Sequence, residues 1–155
     1  MKINLGAGRK PLEGHVNVDK AKLPGVDVIA DLDVAPWPFK DGCAEVITAW
    51  HVFEHVADPC MFMTECHRIL RPGGQLEVIS PLFAHFTAFV DPTHRRFCAP
   101  ETWDFWVPGT TFYDPDVYGY APFDREVRLL VNDNAYVRVV LRKLTGKWPR
   151  AEVIS

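Results

Sequence analysis

The sequence predicts an α/β fold: a mostly parallel sheet, a C-terminal antiparallel hairpin, and helices trimmed away on one face. Three observations predict it. Short strand-like runs, each closed by Gly, Pro or Asp, recur through residues 1–50. One clear helical pattern follows at 57–70 and leads straight into another strand. Near the end, two alternating runs flank Asn132-Asp133-Asn134, a hairpin pattern. Strands that alternate with turns and helices pack as a layered α/β sheet. The 155 residues suit one domain, 1–155, with enough chain to bury a core.

Taken in order, the first strands are expected at 3–5, 16–18, 26–30 and 46–49. The helix at 57–70 has Asp58 as N-cap and Pro59 at its first position. Phe62, Cys66, Ile69 and Leu70 then recur at helical spacing, with Arg68 and Arg71 near the C-terminal end of the dipole. Arg71-Pro72-Gly73-Gly74 is the expected stop, and 75–80 the next strand. Residues 83–123 hold most of the chain's aromatics, with a short helix expected at about 100–107. Residues 125–131 and 135–143 form the hairpin, within a terminal unit at 124–143.

The connections are short for parallel crossovers, which usually take a dozen or more residues. Only nine residues separate Leu5 from His15. The strands also alternate where a doubly covered parallel strand would be continuously apolar. Lys2, Asn4, His15 and Asn17 are therefore expected on an open, wet face, with Ile3, Leu5, Val16 and Val18 packed on the helix. A polar face of this kind predicts a monomer or weak homodimer.

Composition excludes several classes. With 48% hydrophobic and 24% charged residues the chain is not disordered. A net charge of −3 argues against a generic nucleic-acid binder. No apolar run is long enough to span a bilayer. The strand-like start leaves no expected signal peptide, and the four cysteines fit neither metal spacing nor a disulfide scaffold. A cytoplasmic protein with reduced thiols is the expectation.

The chemistry-bearing residues sit at strand ends. Gly6-Ala7-Gly8 after the first strand allows a sharp bend and close approach of a ligand. At the carboxyl ends of parallel strands such a bend borders the ligand crevice. A dinucleotide fingerprint needs a third glycine, and Pro11 stands there instead. Asp19, closing the second strand, could accept from a ribose diol, or simply form a turn. Asp31 with Leu32 could hold an adenine edge and face.

In this order the motifs resemble those of class I S-adenosylmethionine-dependent methyltransferases of the small type-11 kind. The segments are Asn4-Leu5-Gly6-Ala7-Gly8, Asn17-Val18-Asp19, Ala30-Asp31-Leu32, Trp37-Pro38-Phe39-Lys40-Asp41-Gly42, His51-Val52-Phe53-Glu54-His55 and Arg68-Ile69-Leu70-Arg71-Pro72-Gly73-Gly74. The resemblance spans about residues 2–82 and implies a Rossmann-like sheet of order 3-2-1-4-5-7-6. It implies S-adenosyl-L-methionine as cofactor, held in a 1–82 half by Leu5, Gly6, Ala7, Gly8, Asp19, Asp31, Leu32 and Trp50. It implies an 83–123 insertion on the acceptor side. Asn4 departs from the acid usual at that place, and the helix after the glycine turn is nearly absent.

For catalysis, His51, His94 and Asp91 are the expected residues. A hydroxyl acceptor needs a base, and His51 lies closest to the fourth strand's end. Asp91 and His94, in Asp91-Pro92-Thr93-His94, are expected to pair as carboxylate and imidazole. Glu54 and His55 read as the hydrogen-bonded start of a connecting segment. Arg95 and Arg96 could grip an anion or be internally paired. Trp103, Phe105, Trp106, Phe112, Tyr113, Tyr118 and Tyr120 could line an acceptor pocket or build a small core. The spacing of His85, Asp91 and His94 matches no zinc pattern, so no metal is expected. The expected activity is in-line methyl transfer to a small-molecule, sugar or lipid-linked acceptor. The competing reading is a catalytically silent binding subunit.

Overall fold

In a computed structural model, residues 1–114, 116, 122–133 and 135–144 are described. The chain runs through β1 (Lys2–Leu5), β2 (Val16–Asp19), β3 (Val28–Ile29), β4 (Ala44–Trp50), α1 (Pro59–Ile69) and β5 (Leu70–Pro81). A one-turn helix α2 (Thr87–Val90), a 3₁₀ turn (Thr102–Trp106), β6 (Phe123–Val131) and β7 (Tyr136–Lys143) follow. The seven strands order as β3-β2-β1-β4-β5-β7-β6. β1 to β5 pair in parallel, and β7 is antiparallel to both β5 and β6. This is the strand order that the resemblance implies.

α1 begins as predicted. The Asp58 carboxylate accepts from the Cys60 and Met61 N–H groups, and Pro59 takes the first position, where no N–H is needed. Its end differs. No left-handed glycine closes it. Leu70 is already extended, so helix passes directly into β5, and the positive φ of Gly73 falls inside that strand's irregular start. Phe62, Met63, Cys66 and Ile69 bury one face of α1 against Ile3, Leu5, Ile47, Leu76 and Val78. The hairpin turn places Asn132 and Asp133 in the left-handed region, which Asn and Asp tolerate better than other residues with a Cβ. Asn134 lies outside the described residues.

The open-face expectation is overturned at β1 and β2. Asn4 and Asn17 are each only 5% exposed. The Asn4 amide donates to the Asn17 Oδ1 at 2.9 Å, and that oxygen also accepts from the Leu12 N–H. The Asn17 amide donates in turn to the Leu12 and His15 carbonyls. A coil of residues 6–14 thus covers this face in place of a helix, and buried amides serve as its anchor. Buried polar groups are tolerated when each finds a partner. Lys2 stays exposed and His15 half-buried.

The aromatic segment divides between core and surface. Trp103, Trp106 and Tyr113 are buried, and both tryptophans pack on Phe53. Phe105 and Phe112 stack on each other nearer the surface. The expected helix at 100–107 is a single 3₁₀ turn. Tyr118 and Tyr120 lie outside the described residues.

Candidate active site

The carboxyl ends of β1, β2 and β4 converge on one cavity of about 620 Å³. β1 breaks at Gly6, whose φ is +64°; a Cβ there would overlap the Val52 side chain. Both facts require glycine. Asp19 ends β2 and ties the glycine bend down. Its Oδ2 accepts from the Gly8 N–H at 2.8 Å and its Oδ1 from the Ala21 N–H at 2.9 Å. Each carboxylate oxygen keeps a second lone pair for a ligand. Asp31 closes its own turn by accepting from the Asp33 N–H. Asp33 in turn accepts from the Ala57 N–H at 2.7 Å, which joins this loop to the segment after β4. Asp19 and Asp31 thus each form a turn and also line the cavity.

That segment forms the opposite wall. His51 follows β4 with φ +57°, a rare left-handed conformation for a residue with a Cβ, and its N–H donates to the Ile79 carbonyl. The twist carries its side chain out of the sheet's alternation and into the cavity. Its Nδ1 stands 3.4 Å from the Glu54 Oε1, at ion-pair range without hydrogen-bond alignment. Glu54 is 1% exposed. Its Oε2 accepts from the Ser80 hydroxyl at 2.7 Å. Burial pushes the Glu54 carboxyl up, but His51, Ser80 and its own backbone N–H together hold it below the ordinary carboxylate range. Cys98 donates weakly to Ser80, and burial raises its thiol to about 11, so it is not a nucleophile.

His55 also lines the cavity. Its Nδ1 lies 2.9 Å from the Thr93 Oγ1, and that hydroxyl lies 2.7 Å from the Asp91 Oδ1. The single hydroxyl proton goes to the carboxylate, which only accepts. Nδ1 of His55 must then carry the other proton, leaving Nε2 with a lone pair. The Asp91–His94 pair expected from the sequence does not form. Asp91 is engaged by Thr93, whose two hydrogen bonds lower its carboxyl pKa, while His94 Nδ1 donates to the Ala88 carbonyl. The proline between them fixes a turn that sends the imidazole the other way. His94 packs edge-on against His55, ring centroids 4.8 Å apart.

Arg96 is internally paired, donating to the Phe53 and Val56 carbonyls and lying over the Phe53 ring. It pins the 83–98 segment onto the His51–Ala57 wall. Arg95 donates its backbone N–H to the Glu54 carbonyl, and its residue lines the cavity. Of the residues expected from the sequence, Gly6, Asp19, Asp31, Leu32 and His51 line the cavity together. Leu5 and Ala7 are buried beneath it, and Gly8 holds Asp19. Trp50 is not among the lining residues: one step beyond Ala49 in a strand, it points to the sheet's other face. Sequence reasoning passed over Glu54 and Thr93. The signal available was three titratable side chains within five residues of a strand end.

Residues 11–78 match the family described as a methyltransferase domain. This segment is similar to the domains of S-adenosylmethionine-dependent methyltransferases. A probable S-adenosylmethionine-dependent methyltransferase of Mycolicibacterium smegmatis is 39% identical over 81 residues, 50% of this chain and 31% of that protein. A demethylmenaquinone methyltransferase of Staphylococcus aureus is 22% identical over 147 residues, 86% of this chain and 58% of that one. The methyltransferase fold is shared with a Thermotoga maritima structure at a TM-score of 0.67 and 18% identity, covering 93% of this chain and 82% of that one. The match to the mycobacterial-type relative spans about a third of that protein's length. Among the described residues, no helix is long and apolar enough to cross a membrane.

Proposed function

We propose that this domain binds S-adenosyl-L-methionine and transfers its methyl group to a small-molecule acceptor. The observation that carries the reading is one cavity with two chemically distinct walls. Gly6, Asp19, Asp31 and Leu32 form one, and His51, His55, Thr93 and Arg95 the other. The first wall fits a nucleoside: a bend that excludes Cβ, carboxylates with free lone pairs, and an apolar face at Leu32. Bound there, S-adenosylmethionine supplies an electrophilic methyl on a sulfonium. The protein's share is positioning, which contributes roughly 7–11 kcal/mol when reactants are well aligned. For a hydroxyl acceptor, His51 takes the proton as the new bond forms. Glu54, at 3.4 Å, orients that imidazole.

The acceptor is a small amphiphile, of the lipid-linked kind. Phe83, Phe86, Phe89, Val90 and Phe97 are all at least half exposed, and they bracket the cavity residues Pro92, Thr93 and Arg95. Contiguous exposed apolar surface marks an interaction site. The name of the Staphylococcus aureus relative points to the same class. The domain acts as a monomer or weak homodimer, a reading supported by the Glu77–Arg138 ion pair on the sheet face away from α1.

Isothermal calorimetry with S-adenosylhomocysteine tests the cofactor half. The wild type should bind one equivalent, and Asp19→Ala should weaken binding by about 1.5–3 kcal/mol. An affinity unchanged in that variant would remove Asp19 from the site. No binding at all by a folded wild type would return the domain to a silent binding role.

A further inference from the structure

Beside the cofactor wall, Glu54, His55 and His94 each bring one potential ligand atom to within 4.8 Å of the others. They reach this point from two separate segments, Glu54 and His55 after β4 and His94 after α2. What distinguishes the cluster is how its two imidazole Nδ1 atoms are held. His94 Nδ1 donates to the Ala88 carbonyl at 2.8 Å. His55 Nδ1 donates to Thr93, which is itself fixed by Asp91. Both rings are thereby set in the tautomer that leaves Nε2 as a lone pair. Metal-binding imidazoles almost always donate their other ring N–H to a carbonyl or carboxylate in this way. The third member, Glu54, is buried, with Oε2 satisfied by Ser80 and Oε1 without a hydrogen bond. A buried carboxylate oxygen that makes no hydrogen bond, with only the His51 Nδ1 at 3.4 Å beside it, is a candidate ligand for a cation.

We propose that Glu54, His55 and His94 form a three-ligand site for a divalent transition metal, zinc or a metal of similar preference. Two imidazoles and one carboxylate are a donor set suited to zinc, cobalt and nickel rather than to magnesium or calcium. Ligands about 2.0–2.1 Å from zinc stand about 3.3 Å apart, so closure moves the three side chains by about 1.5 Å in all. His55 lines the cavity, so a metal it holds is reachable by an acceptor oxygen. A three-ligand site keeps a position open for such an oxygen. The site rests on the methyltransferase reading for its role, but not for its existence.

The test uses the whole chain, stripped with chelator and titrated with Co²⁺ and Zn²⁺. Wild type should bind one equivalent, and the Co²⁺ form should show visible absorption of four- or five-coordinate intensity. His94→Ala and His55→Ala should each weaken binding at least 10-fold, while His85→Ala, in the same segment, should bind as wild type. Glu54→Gln retains a partner for Ser80 and should weaken binding with the fold intact by circular dichroism. Absence of stoichiometric binding, or binding indifferent to His55 and His94, overturns the site. S-adenosylhomocysteine calorimetry on the same samples separates the two readings: cofactor binding without metal binding sinks the metal site alone.

Discussion

His51 is the residue where backbone and chemistry meet. A left-handed φ costs a side-chain-bearing residue about 1–2 kcal/mol, and such strain gathers at functional sites. Here the strain turns an imidazole out of the β4 alternation toward the cavity. Two substitutions separate backbone from base. His51→Gly should relieve the φ penalty and leave denaturant stability equal to wild type or higher by about 1 kcal/mol. His51→Asn, which also tolerates this region, should fold as wild type. Both should lower turnover of a hydroxyl acceptor by about 10²–10⁴-fold, the contribution of a general base. A loss of only a few-fold with a real acceptor would leave positioning as the sole source of rate and remove His51 as base.

At the scale of elements, one arginine fastens α1 to the segment before β4. Arg68 near the end of α1 donates to both Glu65 oxygens, to Asp41, and to the Trp37 and Phe39 carbonyls. Glu65 also accepts from the Trp37 N–H, and the Arg68 guanidinium holds its carboxyl below the ordinary range. The motif before β4 and the motif before β5 are thus two halves of one lock. Arg68→Ala should cost about 2–4 kcal/mol in urea unfolding, because the Glu65 charge stays behind without its partner. Arg68→Lys should recover only part, since an ammonium cannot serve so many acceptors at once. Elements with strong local signals were legible in the sequence: the Asp58–Pro59 start, the alternation of the hairpin, the glycine bend. What was not legible depended on partners distant in sequence. Asn4 and Asn17 read as wet because their burial rests on each other and on the 6–14 coil. Glu54 read only as the hydrogen-bonded start of a connecting segment, because its partner Ser80 lies a whole helix and strand away. Asp91 and His94 are close in sequence, yet the Thr93 hydroxyl between them captures the carboxylate first.

For the molecule as a whole, stability should depend on pH in a way set by groups that staple α1 to the sheet's far edge. His67 on α1 sits 3.0 Å from the Leu144 carbonyl and packs on Phe123, at the root of the hairpin. Burial lowers its pKa more than the Leu144 carbonyl restores it. The unfolded chain returns His67 to about 6.5 and Glu65 to about 4.3. Below pH of about 6.5 the unfolded state therefore binds a proton at His67 that the native state refuses, so stability falls with falling pH. Glu65 adds a second loss in the acid range, as pH drops below its unfolded value and through its lowered native one. The urea midpoint should be flat near and above neutrality, decline first around pH 6, and decline again below about pH 4. His67→Gln can keep a bond to the Leu144 carbonyl without a titrating group, so it should abolish the upper step and leave the lower one. A wild-type midpoint that stays level from pH 7 to 5 would show that the α1–hairpin contact does not hold His67 neutral.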